Sequence, residues 1–224
     1  MYYKLLYEAS ETEVELLSRD VDPMFLVDLP NVPPPSEFTA NKEVEFIRQV
    51  MLTDYKANKD FILGADEDLV ALICALADDL GIGHFDDLYE ELNEIAEQLA
   101  VPIMKLKWYY NRARPYQYAE KMGVKFPKFK TKTGNTPAYP SGHTIQAYFL
   151  ASYLGEQSPQ HRGILMDLAK DISFSRIQCG VHFPTDISYG VTIYRNLWSG
   201  IDPTINLEEV GPAFLKRKAF LENK

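Results

Sequence analysis

Apolar residues recur along this chain at intervals of three and four, and nowhere in a convincing alternation of two. A period near 3.6 gives a segment one face to bury as a helix, whereas a strand needs a period of two. Val44, Ile47, Val50 and Met51 form one stripe; Leu88, Leu92, Ile95 and Leu99 form another; Leu165, Leu168 and Ile172 form a third. The segment from Leu69 to Leu80 is apolar nearly all round, which predicts a central buried helix. Ser158-Pro159 reads as an N-cap followed by proline at the first helical position. The expected fold is all-α, a single-domain helical bundle over residues 1–224, with an N-terminal arm over 1–38 that contains the stiff V-P-P-P-S. A Lys-rich stretch from about 116 to 140 reads as a loop longer than most, the kind that carries function.

Charge narrows the ligand. Residues 101–132 hold nine Lys or Arg and one acid, Glu120, on a chain whose total is −9. A basic segment on an acidic protein points to an anion held at one place. Phe126 and Phe129 interleave with lysines there, yet the surrounding acidic charge repels a long polyanion, so nucleic acid is not the expected partner. The longest apolar run, Leu69 to Ala77, is far short of the roughly 20 residues that span a bilayer, and no membrane span is expected. The first residues carry glutamates where a secretory leader would be apolar, so the expected compartment is the cytoplasm, or the periplasm if a leader has been removed. Cys74 and Cys179 make no disulfide framework; a single bridge between them stays open, and two buried thiols is the expected reading.

Three short stretches concentrate the chemistry. In K-W-Y-Y-N-R-A-R-P (107–115), seven residues are close to two helical turns, so Lys107 and Arg114 would share a helix face, with Pro115 ending the helix after them. In Y-P-S-G-H-T (139–144), Ser141 and Gly142 stand at a loop-to-helix junction. The free N–H groups and positive dipole end there suit a phosphate-like anion, and His143 stands beside it. In S-R-I-Q-C-G-V-H-F-P-T-D (175–186), Pro184 suits a first helical turn and Asp186 can reach back to a ring nitrogen of His182. A carboxylate so placed fixes the tautomer and leaves the other nitrogen free as a nucleophile, with Arg176 arriving as a fixed cation from the preceding helix. Other groups read blandly. D-D-L-G-I-G-H-F-D-D (78–87) is better explained as a helix end, a Gly turn and a new helix start than as a metal site at His84. Of Tyr109, Tyr110, Tyr116 and Tyr118, only one is expected to touch substrate, and His161 is expected to be exposed and without a role.

Taken together the stretches read K-x6-R-P, P-S-G-H and S-R-x5-H-x3-D. This resembles the three-part motif of the type 2 phosphatidic acid phosphatase and vanadium haloperoxidase superfamily, and it looks most similar to the class A bacterial non-specific acid phosphatases. The proline-rich arm L-P-N-V-P-P-P-S is similar to theirs as well. The resemblance implies a helical bundle of that type and a metal-independent acid phosphatase that hydrolyses small phosphoesters through a phosphohistidine. It implies His182 as nucleophile, His143 as acid and base, and Asp186 as the orienting carboxylate. Lys107, Arg114, Ser141, Gly142 and Arg176 would bind the phosphate. No metal or other cofactor is implied, although vanadate or phosphate can occupy such a site. A vanadate-dependent haloperoxidase and a phosphotransferase or pyrophosphatase are the alternatives within the superfamily, and a homodimer or larger assembly is the family-level expectation.

Overall fold

The computed structural model describes residues 29–200, less positions 30, 128 and 130 and the side chains of 199 and 200. Among the described residues there are eight α-helices and no strand: α1 (Glu37–Thr53), α2 (Lys59–Glu67), α3 (Leu69–Asp79), α4 (Phe85–Tyr110), α5 (Pro115–Lys121), α6 (Gly142–Gln157), α7 (Arg162–Gln178) and α8 (Pro184–Gly200). A single 3₁₀ turn, Pro159–His161, leads into α7. Of the arm expected over 1–38, residues 1–28 and 30 lie outside the described residues. The part seen from Asn31 to Ser36 is non-helical and is held by tyrosines, Tyr110 Oη donating to Asn31 Oδ1 (2.8 Å) and Tyr139 Oη to the Val32 carbonyl (3.0 Å).

The helix at the centre is α6, not α3. It packs against α7, α8, α4 and α3, and buries Ile145, Ala147, Phe149, Leu150, Ala151 and Leu154. Small residues on several of its sides let neighbours approach from all directions. The expectation of a central helix at Leu69–Leu80 is corrected: α3 buries Leu69, Val70, Ile73, Cys74 and Ala77 but leaves Ala75 exposed and Leu72 and Leu76 half-buried. The stripe Val44, Ile47, Val50 and Met51 packs in a second cluster with Ala113, Tyr118, Ile177 and Phe183, so α1 supports two of the three motif stretches from behind. Cys74 and Cys179 are free and buried. Among the described residues no helix is long and apolar enough to cross a membrane.

Helix ends set the geometry of the motif stretches. The Lys107 helix stops at Tyr110, with Asn111 in the left-handed conformation at φ 49°. Asn tolerates that conformation better than most residues, and it closes a helix C-terminus as glycine does. Pro115 then begins α5 instead of ending α4, as its fixed φ and missing N–H allow at a first helical position. Lys107 and Arg114 therefore do not share a helix face. Ser158 stands at the N-cap of the 3₁₀ turn with Pro159 first inside it, as expected, but its hydroxyl caps no backbone N–H and pairs instead with His161 Nδ1 at 2.9 Å, which leaves His161 half-buried and engaged. The loop expected from about 116 begins only after Lys121. The 78–87 run is a helix end, a turn at Gly81 (φ 68°) and the start of α4, with Ile82 N donating to the Ala77 carbonyl at 2.9 Å.

Gly180 closes α7 in the same manner, at φ 72°, with Val181 N and His182 N both donating to the Arg176 carbonyl (3.1 and 3.2 Å). This double capping is why five residues separate Arg176 from His182. A Cβ on Gly180 would lie 2.5 Å from Met51 Sδ and 2.9 Å from Phe126 Cε1. Gly180→Ala should destabilise the protein by about 2 kcal/mol or more, through left-handed strain plus overpacking, measured by urea unfolding. A variant as stable as wild type would refute this account of the turn.

Candidate active site

Four helix ends and one loop enclose a cavity of about 310 Å³ lined by Lys107, Arg114, Lys132, Thr133, Thr136, Gly142, His143, Gln146 and His182, with Ala100, Ile103 and Met104 of α4 as its apolar wall. The loop flagged for its length therefore contributes Lys132, Thr133 and Thr136. None of Tyr109, Tyr110, Tyr116 and Tyr118 lines it: Tyr110 and Tyr118 are core, Tyr109 is exposed, and Tyr116 lies half-buried with its hydroxyl on the Gly134 carbonyl. The expectation that one of these tyrosines touches substrate finds no support in the lining.

His182 is 2% exposed and stands just before α8. Its Nδ1 lies 3.1 Å from Asp186 Oδ2, one turn into the helix, and its Nε2 lies 3.0 Å from Arg114 Nη1. A guanidinium only donates, so Nε2 is the acceptor and Nδ1 carries the proton toward the carboxylate. The tautomer expected from the His-x3-Asp spacing follows. Burial, then the charges of Arg114, Lys107 and Arg176, hold the His182 imidazolium well below the usual histidine range, so the ring is neutral at neutral pH. His143, in the first turn of α6 and half-buried against the cavity, is pushed down by burial and by Arg176, Lys107 and Arg114; the Ala65 carbonyl pulls weakly the other way.

Four cations are buried around these rings: Lys107, Arg112, Arg114 and Arg176. Arg114 donates to the carbonyls of Thr136 (2.8 Å), Val181 (2.9 Å) and Thr133 (3.1 Å). Lys107 Nζ donates to the Pro137 carbonyl at 2.6 Å; burial and then Arg114 hold its ammonium well below the usual lysine range. Arg176 stands one layer back from the cavity, its Nη2 on Asp66 Oδ1 (2.7 Å) and Thr133 Oγ1 (3.2 Å), while its Nε and Nη1 have no acceptor. Ser141 caps α6 and is fully buried, its Oγ accepting from Thr144 N (3.4 Å) and Thr144 Oγ1 (3.0 Å). Those two bonds use its lone pairs and leave its own proton to give. Gly142 lines the cavity; a Cβ there would come within 3.2 Å of Ile103 Cγ2. Of the expected site residues, Lys107, Arg114, Gly142, His143 and His182 line one cavity, and Ser141, Arg176 and Asp186 back it. A cationic lining, with two acceptorless nitrogens of Arg176 one layer behind it, has the chemistry to hold an oxyanion.

Sequence reading missed three supporting side chains. Arg112 is fully buried and donates to Asp186 Oδ1 at 2.5 Å and Glu43 Oε2 at 3.3 Å, with its guanidinium 3.9 Å from the Phe183 ring. It stood in plain view in N-R-A-R-P. Glu43, which also accepts from Thr185, and Asp66 are single acids on ordinary helices and gave no signal. Burial pushes the Asp186 carboxyl up to about 6 against the opposing pull of Arg112 and the Phe183 amide (2.8 Å), so it is ionised at neutral pH. Arg112→Gln removes that pull and leaves a buried carboxylate without its cation, which should cost about 3–5 kcal/mol at pH 7. A protonated acid no longer needs the guanidinium, so the cost should shrink as pH falls below the Asp186 pKa. Urea unfolding at pH 7 and pH 5 checks it; a pH-independent cost would rule the account out.

Residues 94–194, which include every expected site residue, match the PAP2 superfamily. An acid phosphatase of Zymomonas mobilis is 27% identical over 117 residues, 52% of this chain and 44% of that protein. A non-specific acid phosphatase of Salmonella typhimurium is 31% identical over 84 residues, 38% of this chain and 33% of that protein. The matched stretches thus span less than half the length of these relatives. In fold, the chain is similar to the crystal structure of a bacterial vanadium-dependent iodoperoxidase, with a TM-score of 0.56 at 15% identity over 84% of this chain and 53% of that one. The motif stretches thus lie within the part of this chain, residues 94–194, that resembles the PAP2 superfamily, and the helical architecture is similar to that of the iodoperoxidase.

Proposed function

We propose that this chain is a phosphomonoesterase in which His182 Nε2 attacks phosphorus. One observation carries the reading: a neutral His182 whose tautomer is set by Asp186 presents its lone pair to a cationic cavity that His143 also lines. The sequence kinship with acid phosphatases over part of their length supports the same chemistry.

The steps follow from the residues. A phosphate group entering the cavity draws Arg114 Nη1 off Nε2 and onto an equatorial oxygen. Lys107, the free N–H groups of Arg176 and the first turn of α6 take the others. Preorganised donors of this kind are worth roughly 10²–10³-fold each. Nε2 forms the N–P bond as the P–O bond to the leaving group breaks, and protonated His143 gives its proton to the leaving oxygen. Water then attacks the same phosphorus, His143 takes its proton, the P–N bond breaks, and His182 regains its lone pair. Asp186 holds Nδ1–H throughout and offsets the positive charge that His182 gains. Positioning and charge neutralisation are most of what phosphoryl transfer asks of a protein.

Vanadate, a tetrahedral oxyanion of similar size, would suit the same donors, the two acceptorless nitrogens of Arg176 included. When bound it would supply peroxide activation. The deciding experiment therefore has two arms: hydrolysis of a phosphoester panel, and peroxide- and vanadate-dependent halide oxidation. Phosphoester hydrolysis inhibited by vanadate is expected; halide oxidation without phosphoester turnover would replace this reading.

Two further outcomes are expected. His182→Ala should lower kcat by at least about 10³-fold with folding intact, and no phosphoenzyme should survive alkaline quench; near-wild-type turnover would remove His182 as the nucleophile. The acid limb of kcat/KM reports the free enzyme, which needs neutral His182, so it should lie below the ordinary histidine pKa of about 6.5. Lys107→Met removes one of the charges that destabilise the imidazolium. That raises the His182 pKa and should move the acid limb to higher pH. A limb that stays fixed or moves down in the variant would show that Lys107 does not act on His182.

A further inference from the structure

The motif stretches leave one wall of the site unexplained. The C-terminal turn of α2 lies against it, from a part of the chain outside the 94–194 match. Asp66, 6% exposed, accepts three hydrogen bonds: Arg176 Nη2 on Oδ1 at 2.7 Å, Thr133 Oγ1 on Oδ1 at 3.0 Å, and Lys132 N on Oδ2 at 2.8 Å. Thr133 in turn meets both arginines, accepting from Arg176 Nη2 on its hydroxyl and from Arg114 Nη2 on its carbonyl. One carboxylate thus fixes the rear cation and the cavity-lining loop together.

The way the carboxylate is used matters. An acid that served only to neutralise a buried arginine would meet it with both oxygens, the fork geometry such pairs favour. Asp66 gives Arg176 one oxygen and gives the other to a loop amide. Arg176 is thereby held at one nitrogen while Nε and Nη1 have no acceptor at all. Two buried donors left open on a clamped guanidinium are costly unless a ligand oxygen takes them. The preceding residue adds to this wall. Ala65 is in the last turn of α2, where carbonyls lack helical partners, and its carbonyl meets His143.

We infer that Asp66 is a positioning residue of this site: it clamps Arg176 and the 132–133 loop so that the open Arg176 N–H groups address the bound oxyanion. The inference rests on the phosphatase reading, and its test separates the two. Vanadate affinity, measured by calorimetry, and phosphoester kcat/KM are compared for wild type, Asp66→Ala, Asp66→Asn, Arg176→Gln and the Asp66→Ala/Arg176→Gln double variant. Loss of an orienting partner behind a ligand-holding group typically costs about 10–100-fold. Asp66→Ala should weaken vanadate binding and lower kcat/KM within that range. Asp66→Asn, which keeps an acceptor for the loop or the arginine, should recover part of the loss. In the Arg176→Gln background the further effect of Asp66→Ala should fall to about twofold or less, since both act on one group.

Additive losses would show that Asp66 does not act through Arg176 and would overturn the inference, as would a folded Asp66→Ala with vanadate affinity within twofold of wild type. If Asp66→Ala does not fold, Asp66→Asn decides: a loss of several-fold or more supports the inference and wild-type affinity overturns it. A wild-type protein that hydrolyses phosphoesters while Asp66→Asn is unaffected sinks this inference alone. One that neither binds vanadate nor hydrolyses any phosphoester sinks both.

Discussion

Among the described residues, four buried cations share one region with only two fully or nearly buried carboxylates, and much of the architecture answers to that imbalance. Lys107, Arg112, Arg114 and Arg176 are each at most 5% exposed, against Asp186 at 0% and Asp66 at 6%. Removing an ion from water costs several kcal/mol even after relaxation, so each charge needs partners. Arg112 has Asp186 and the part-exposed Glu43, and Arg176 has Asp66. Arg114 and Lys107 are met by backbone carbonyls of Thr133, Thr136, Pro137 and Val181. Carbonyls satisfy donors without cancelling charge. The loop before α6 is thus shaped by the cations, which take up backbone acceptors that an irregular buried segment would otherwise leave unpaired, while the cup keeps a net positive charge that only an anion removes.

The cup is assembled from helix ends. Asn111 stops α4 just past Lys107, Pro115 starts α5 just past Arg114, Ser141 caps α6 before Gly142, and Gly180 folds α7 back so that Arg176 and His182 face one region. Ends are where backbone groups lack partners and where the chain changes direction. They are the natural place to bring residues from distant segments against one ligand. Behind them, α6 supplies a rigid central post, and the α1 cluster braces Ala113 and Phe183 beside the arginine stretch and the His182 turn.

What could be read from the residues divides along the same line. The His182–Asp186 pairing was legible because it is local, one helical turn across Pro184, and local geometry is set by spacing. The Gly and Ser at 141–142 were legible as a helix start for the same reason. Lys107 and Arg114 were misplaced because a seven-residue interval reads as one face only if the helix is continuous, and Asn111 interrupts it. The central helix was misidentified because α3 has the longer apolar run, whereas α6 is enclosed by virtue of small residues, Ala147, Ala151 and Gly155, that hydrophobicity does not score. Glu43 and Asp66 were invisible: each is one acid on a helix, and its role exists only through contacts spanning 69 and 110 residues.

Charge balance also bears on how His143 can act as an acid in the proposed reaction. In the free protein its proton is opposed by burial and by three cations, with the Ala65 carbonyl as a weak counterweight. A phosphate dianion in the cavity would offset the charge of those cations and so favour the imidazolium relative to the free protein. Proton and substrate are therefore linked, and linkage is reciprocal: whatever the anion does for the His143 pKa, protonation of His143 does for anion affinity. Lowering the pH tightens the bound state from this side, until His182 itself begins to take up a proton. In the proposed reaction the upper and lower pH bounds would then come from one electrostatic balance, in which the ring beside the α6 terminus gains its proton with the ligand while the ring held by Asp186 stays neutral to attack.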